Sequence, residues 1–456
     1  MAAGRARTAL VGMAAAVAVT AFTVPAHAAG PGGTVRIPSA VAPPPGPVPA
    51  VPYGILSDVA ATPPPLVPDA VRDPGPRAAV PRALFGPLRP VRPVAPVRPL
   101  RDDHGPTARA LEDLVRAGVP GVTAQVRDHA GVWRSAAGTG DLRAGTPRGT
   151  GDHYRVGSIT KTFVAAALLR LEADGRLDLD DTVDRWLPGL VRGHGHDGRR
   201  ITVRQLLNHT SGIRNYTADE DFDREYFRAP GFYEHPYHTV APGDLVRIAL
   251  RHPADFPPGT SWNYSNTNYV LAGMIIERIT GRPYGETVRD RVIRPLGLSS
   301  TTVPGTDPRM PRPGGRAYSK LSADPAATRV HDVTHFSPTL AHAAGEIIST
   351  SADLTRFYSA LLGGRLLPPE QLAAMTTTVE SPRHPGAGYG LGIVSRTTSC
   401  GVQLWGHGGG MPGSLSQAVS TRDGRRVLAY NLNGDWTEAA GTIEEAEFCA
   451  DGSPVS

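Results

Sequence analysis

Tyr154-Arg155-Val156-Gly157-Ser158-Ile159-Thr160-Lys161-Thr162-Phe163 is the stretch on which the fold turns. From Ser158 to Ala173 the chain is apolar almost all round (Ile159, Phe163, Val164, Leu168, Leu169, Leu171), and the run stops before Gly175. That pattern predicts a buried helix. Ser158 and Lys161 stand three positions apart at its start, so the amine lies one turn from the hydroxyl on the same face. A serine alcohol is a poor nucleophile until a neighbouring base takes its proton, and a lysine held neutral by desolvation can do so. The helix N-terminus adds backbone donors where an oxyanion would form. Of 47 basic residues only Lys161 and Lys320 are lysine. A guanidinium cannot act as a base at ordinary pH, so the choice of amine is already narrow.

Two further elements bear on the same chemistry. Tyr264-Ser265-Asn266 follows the loop Pro257-Pro258-Gly259-Thr260 at the entrance to a helix read as Tyr269 to Thr280, ended by Gly281. A phenol near a lysine can pass a proton to a leaving group, and an Asn amide can meet a substrate amide. His407-Gly408-Gly409 lies within Gly406-His407-Gly408-Gly409-Gly410, read as a glycine-rich segment after a strand from Val402 to Trp405. Its glycines would let substrate lie along a strand edge, and the Gly410 amide could be a second oxyanion donor.

Outward from these, a short helix (Ala108 to Ala117) leads to strand-like runs Val122 to Arg127 and Val132 to Ala137 about His129-Ala130-Gly131. The far end mirrors this with Tyr389 to Thr397, then Ser414 to Thr421 and Arg426 to Leu432 about Asp423-Gly424. A helix from Ala352 to Leu362 is expected, with Ser351 as its cap and Gly363-Gly364 at its end. The expected fold class is α+β: an antiparallel sheet formed from both chain ends with flanking helices, plus a mainly helical inserted subdomain.

In order, the three elements resemble the penicillin-recognising serine hydrolases, the branch of class C β-lactamases and serine D-alanyl-D-alanine carboxypeptidases. The resemblance extends to Ile201-Thr202-Val203-Arg204-Gln205-Leu206-Leu207-Asn208-His209-Thr210-Ser211-Gly212-Ile213, to Phe256-Pro257-Pro258-Gly259 and to Ala344-Gly345-Glu346-Ile347-Ile348-Ser349-Thr350, spanning roughly residues 105 to 435. It implies Ser158 as the acylated nucleophile, Lys161 as its base and Tyr264 as partner in proton transfer. Which of Lys161 and Tyr264 is the formal base stays open, because strongly coupled groups titrate as a unit. It also implies Asn266 orienting the substrate amide and the amides of Ser158 and Gly410 as oxyanion hole. No cofactor is called for. Many relatives carry Lys-Thr-Gly or His-Thr-Gly at the third element; here Gly408 supplies no hydroxyl for a substrate carboxylate. An imidazole of ordinary pKa at His407 is expected to supply partial positive charge instead. The expected function is a D-alanyl-D-alanine carboxypeptidase-like hydrolase of peptidoglycan stem peptides, with β-lactams as acylating ligands. The alternatives are a β-lactamase, an esterase, a D-amino-acid amidase or, in a different class, a wall-tethered binding protein with little turnover.

Composition limits what else the 456 residues can be. A charged fraction of 20% and a hydrophobic fraction of 40% exclude a polytopic membrane protein and a wholly disordered chain. Nine arginines against three aspartates in residues 1–100 account for the net +5, leaving 38 basic against 39 acidic groups beyond them. No strongly basic domain remains, so no nucleic-acid partner is expected. Arg5 and Arg7, an uncharged stretch from Thr8 to Val24 and Ala26-His27-Ala28 read as a signal peptide over residues 1–28, predicting a secreted, extracellular or wall-associated protein. Residues 29–102, with twenty prolines up to Leu100, read as an extended disordered linker whose arginines could touch anionic wall polymers. Residues 103–456 form the hydrolase domain. An oxidising compartment favours pairing of Cys400 with Cys449 over a metal role, since structural zinc takes four ligands. His209 is expected to bond locally in its turn. His194-Gly195-His196 and His235 to His238 lack a metal-binding helix context, so no metal site is expected.

Overall fold

The computed structural model describes residues 104–324, 326–380, 386–437 and 441–449. The expected signal peptide and the whole of the expected linker lie outside the described residues. Helix α1 (Gly105–Arg116) starts three residues before its expected position and packs Leu111 and Leu114 inward. Strands β1 (Gly121–Arg127), β2 (Val132–Asp141) and β3 (Thr146–Pro147) follow. Helices α2 (Thr160–Ala173), α3 (Asn266–Thr280) and α4 (Ser351–Leu362) occupy the middle of the chain with shorter helices between them. Strands β4 (Val379–Glu380), β5 (Gly388–Tyr389), β6 (Val394–Thr397), β7 (Gln403–Met411), β8 (Ser414–Thr421) and β9 (Val427–Leu432) then lead to α5 (Thr442–Phe448).

These nine strands join one antiparallel sheet in the order β4-β5-β6-β7-β8-β9-β1-β2-β3, and short strands elsewhere form separate two-stranded pairs. The expected fold class is therefore present, with β9 hydrogen-bonded to β1 (Val122 opposite Leu432) joining the two ends of the domain. Alternation along β7 decides what each face covers. Trp405 faces the larger core of α2, α3 and α4, whereas Leu404 faces a smaller core with Leu111 and Leu114 of α1 and Ile443 and Phe448 of α5.

Several boundaries differ from the sequence expectation, three of them near the site. Thr350, not Ser351, caps α4, its hydroxyl accepting from the Asp353 amide at 3.3 Å. Helix α3 begins three residues early because Ser265 already takes extended backbone before Asn266 turns helical. The strand expected to end at Trp405 does not stop there: β7 continues through the glycine-rich segment to Met411, paired with β8 from Leu404 onward.

Cys400 and Cys449 form a disulfide, with Cα atoms 5.6 Å apart, tying the β6–β7 turn to the end of α5. Replacing both cysteines by serine is expected to lower stability by about 2–4 kcal/mol, chiefly by freeing the unfolded chain. Urea denaturation of the double variant measures it, and an unchanged midpoint would show that the bridge carries no stability.

Candidate active site

Ser158 sits in a 3₁₀ turn (Gly157–Ile159) that runs directly into α2, so the helix proper starts at Thr160 rather than at Ser158. The turn is wedged against β7. Gly157 has φ +55°, and a Cβ there would fall 2.7 Å from the Gly410 nitrogen; one at Gly409 would fall 1.9 Å from the Val156 carbonyl and 2.7 Å from the Ser158 nitrogen. These glycines are present because two backbones meet here at a distance no side chain permits. The same approach puts the Gly410 nitrogen beside the nucleophile turn, the arrangement two oxyanion donors need. Beyond Gly406, β6 no longer pairs with β7, so that edge carries no strand of this sheet from His407 to Met411.

Lys161 is fully buried, yet its ammonium nitrogen has three oxygens in reach: Ser158 Oγ at 2.9 Å, Asn266 Oδ1 at 2.7 Å and the Ala344 carbonyl at 2.7 Å. Burial holds its pKa well below the usual lysine range. A neutral amine has two protons and one lone pair. Asn266 Oδ1 and Ala344 O can only accept, so they take both protons and leave the lone pair for the Ser158 hydroxyl. The geometry thus matches a base rather than a counter-ion. Asn266 owes its orientation to Thr217, whose hydroxyl accepts from Nδ2 at 3.2 Å, and to Asn215, whose Oδ1 accepts from the Asn266 amide at 3.1 Å.

The Tyr264 phenol interacts electrostatically with Ser158, and its ring centroid is 4.9 Å from the Lys161 nitrogen. Desolvation raises its pKa above the ordinary tyrosine value, against a smaller opposing pull from Ser158. The phenol is therefore protonated near neutrality, suited to relay a proton rather than to strip one.

His407 departs from expectation. It is 1% exposed, its Nδ1–H donates to the Gly408 carbonyl at 2.5 Å, and its Nε2 accepts from the Tyr389 hydroxyl at 2.9 Å. Both nitrogens are satisfied as a neutral ring. Burial first, and repulsion from Lys161 whenever that amine is protonated second, push its pKa down to about 3. The partial positive charge expected from an ordinary imidazole is not there. His209 also differs: its Nδ1 accepts from the Ser265 amide at 3.2 Å and lies 3.1 Å from Asn268 Nδ2, more than fifty residues along the chain.

Sequence reasoning passed over Ala344, Thr217, Tyr389 and the long reach of His209. Ala344 opens the family-like stretch Ala344 to Thr350, a signal that points to it; Tyr389 and Thr217 carry no local signal. Among the described residues no three His, Cys, Asp or Glu side chains are grouped to hold a metal ion, and no helix is long and apolar enough to cross a membrane.

A sheet closed by both ends of the domain, with a Ser–Lys–Tyr cluster at the N-terminus of a buried helix, defines a penicillin-recognising serine hydrolase. The chain belongs to the Beta-lactamase family, whose model matches residues 107–447. It is similar to the crystal structure of a D-stereospecific amidohydrolase from Streptomyces sp., at 57% identity and TM-score 0.73, over 76% of this chain and 99% of that one. It is also similar to D-amino acid amidase from Ochrobactrum anthropi SV3, complexed with L-phenylalanine amide, at 28% identity and TM-score 0.66, over 77% and 100%. Penicillin-binding protein 4 of Amycolatopsis lactamdurans is 28% identical over 330 residues, 69% of this chain and 81% of that protein.

Proposed function

We propose that this hydrolase is exported and cleaves amide bonds at the carbonyl of D-configured residues through an acyl-enzyme on Ser158. The observation that carries the choice of substrate is His407 held as a neutral ring beside a glycine at 408, which leaves no cation or hydroxyl of that element to grip a terminal carboxylate. Similarity to an amidohydrolase and an amidase that act on D-compounds supports the same reading. A D-alanyl-D-alanine carboxypeptidase acting on stem peptides needs recognition of that carboxylate, so it stands second, supported by the similarity to a penicillin-binding protein. The leader-like residues 1–28 and the Pro/Arg-rich residues 29–102 support export to the wall or medium.

In this mechanism the Ser158 oxygen attacks the scissile carbonyl carbon while its proton passes to the Lys161 amine. Negative charge on the carbonyl oxygen falls to the Ser158 and Gly410 amides. Collapse breaks the C–N bond, and the departing nitrogen takes a proton relayed through Tyr264 from the Lys161 ammonium. Asn266 holds the substrate amide while keeping Lys161 aimed. Water then attacks the ester by the same route in reverse roles, releasing the acid and restoring Ser158.

The test compares D-phenylalanine amide, its L-enantiomer, an acyl-D-Ala-D-Ala peptide, a β-lactam and a short-chain ester as substrates of the mature protein. The D-amide should have the largest kcat/KM of the set; a peptide with a free carboxylate outrunning it would restore the carboxypeptidase reading.

A pH profile separates the two as well. An imidazole with its ordinary pKa of about 6.5 would lose its charge between pH 5.5 and 8.5, and KM for a carboxylate substrate would rise across that window. With a pKa near 3, His407 is neutral throughout, so KM for the acyl-D-Ala-D-Ala peptide should stay flat. A rise absent from a neutral amide would show a charged His407.

A further inference from the structure

We infer that His209 is the positioning residue for Tyr264, a role that rests on the proton relay proposed above. Its backbone carbonyl accepts from the Asn263 amide at 3.2 Å, and its Nδ1 accepts from the Ser265 amide at 3.2 Å. One residue thus grips the chain immediately before and immediately after Tyr264. Such a grip requires the backbone to double back, and His209 takes the left-handed conformation, φ +64°, which is uncommon outside glycine and asparagine.

The ring completes the arrangement. It is fully buried, with centroids 4.4 Å from Tyr264 and 4.6 Å from Tyr389, and Tyr269 and Trp262 at 5.5 and 6.1 Å. Because Nδ1 accepts, the proton resides on Nε2, and that N–H has no hydrogen-bond partner among the described residues. A buried donor without an acceptor costs stability. Here it is lodged among aromatic faces, where weak N–H to π contacts offset part of that cost. An apolar side chain would avoid the orphan donor altogether but would lose the Nδ1 acceptor, so the acceptor is what the site retains. Asn268 gives it a second partner at 3.1 Å, and the Ser211 hydroxyl in turn donates to Asn268 Oδ1 at 2.7 Å, fixing which way that amide faces.

Two substitutions isolate this acceptor. In His209→Asn the side-chain oxygen falls close to where Nδ1 stood, and asparagine tolerates positive φ. His209→Gln carries the same amide one methylene further out, nearer the Nε2 position. With D-phenylalanine amide as substrate, His209→Asn should keep kcat within about fivefold of wild type, while His209→Gln should lose ~10- to 100-fold in kcat with little change in KM, the scale of a catalytic group displaced by about an ångström. Any backbone cost of glutamine at this φ registers in the melting temperature, which is recorded for both. Equal kcat losses in the two variants, or no loss in either, would overturn the assignment. Ser158→Ala run alongside keeps the two readings apart: activity surviving there refutes the acyl-enzyme itself, whatever His209 does.

Discussion

Ser158→Ala should abolish covalent capture of a β-lactam, seen as the absence of the mass adduct that wild type forms, and should cut turnover of the D-amide on the order of 10⁶-fold, the scale set by removing a serine hydrolase nucleophile. No neighbouring group can substitute. The Tyr264 phenol is held protonated by its surroundings, and the Lys161 amine is engaged by Asn266 and Ala344 and buried behind Ser158. Alanine fits the turn without strain, so the variant should melt near the wild-type temperature. An adduct on the alanine variant would place the nucleophile elsewhere.

Lys161→Arg should retain the fold less comfortably and lose activity by about 10²- to 10⁴-fold, the usual worth of a general base. The guanidinium stays charged at every working pH, so it has no lone pair to take the Ser158 proton. The sign of the pH dependence follows from the same group. Burial lowers the Lys161 pKa, so the free amine exists further toward acid than an exposed lysine would allow, and wild-type acylation should fall only as pH drops through that lowered value. In the arginine variant that acid limb should disappear along with most of the rate. Near-normal acylation by Lys161→Arg would transfer the base to Tyr264.

Much of this site was legible because its elements are local. Ser158 and Lys161 are one turn apart at the start of a helix whose apolar character is visible residue by residue, and the flanking strands are legible as runs joined by His129-Ala130-Gly131 and Asp423-Gly424. What escaped depends on partners brought in from afar. His407 looks like any imidazole until Tyr389, eighteen positions earlier, closes over it and its charge becomes too costly to keep. Glycines 408 to 410 read as a segment beyond a strand that ends at Trp405, because glycine is a poor strand former; here their bareness admits the Gly157–Ser158 turn against a strand that continues through them. His209 has a turn-like setting, and nothing nearby announces that its imidazole reaches residues 265 and 268. Orientation has the same character, since Asn266 faces Lys161 with Thr217 holding its Nδ2 and Asn215 its backbone N–H.

The pairing of β9 with β1 sets a timetable for the newborn molecule. Val122 must wait for Leu432, 310 residues later (432 − 122), before the two strands can bond. At the ~5–20 residues per second of ribosomal synthesis that is an interval of about 15–60 s, during which β1 lacks a neighbour on one edge. Until the last strand emerges the sheet cannot become one piece, and until β7 has been made, only shortly before it, the turn bearing Ser158 has nothing to lean against. A chain built in this order is inert while it is being made and competent only once its far end has arrived.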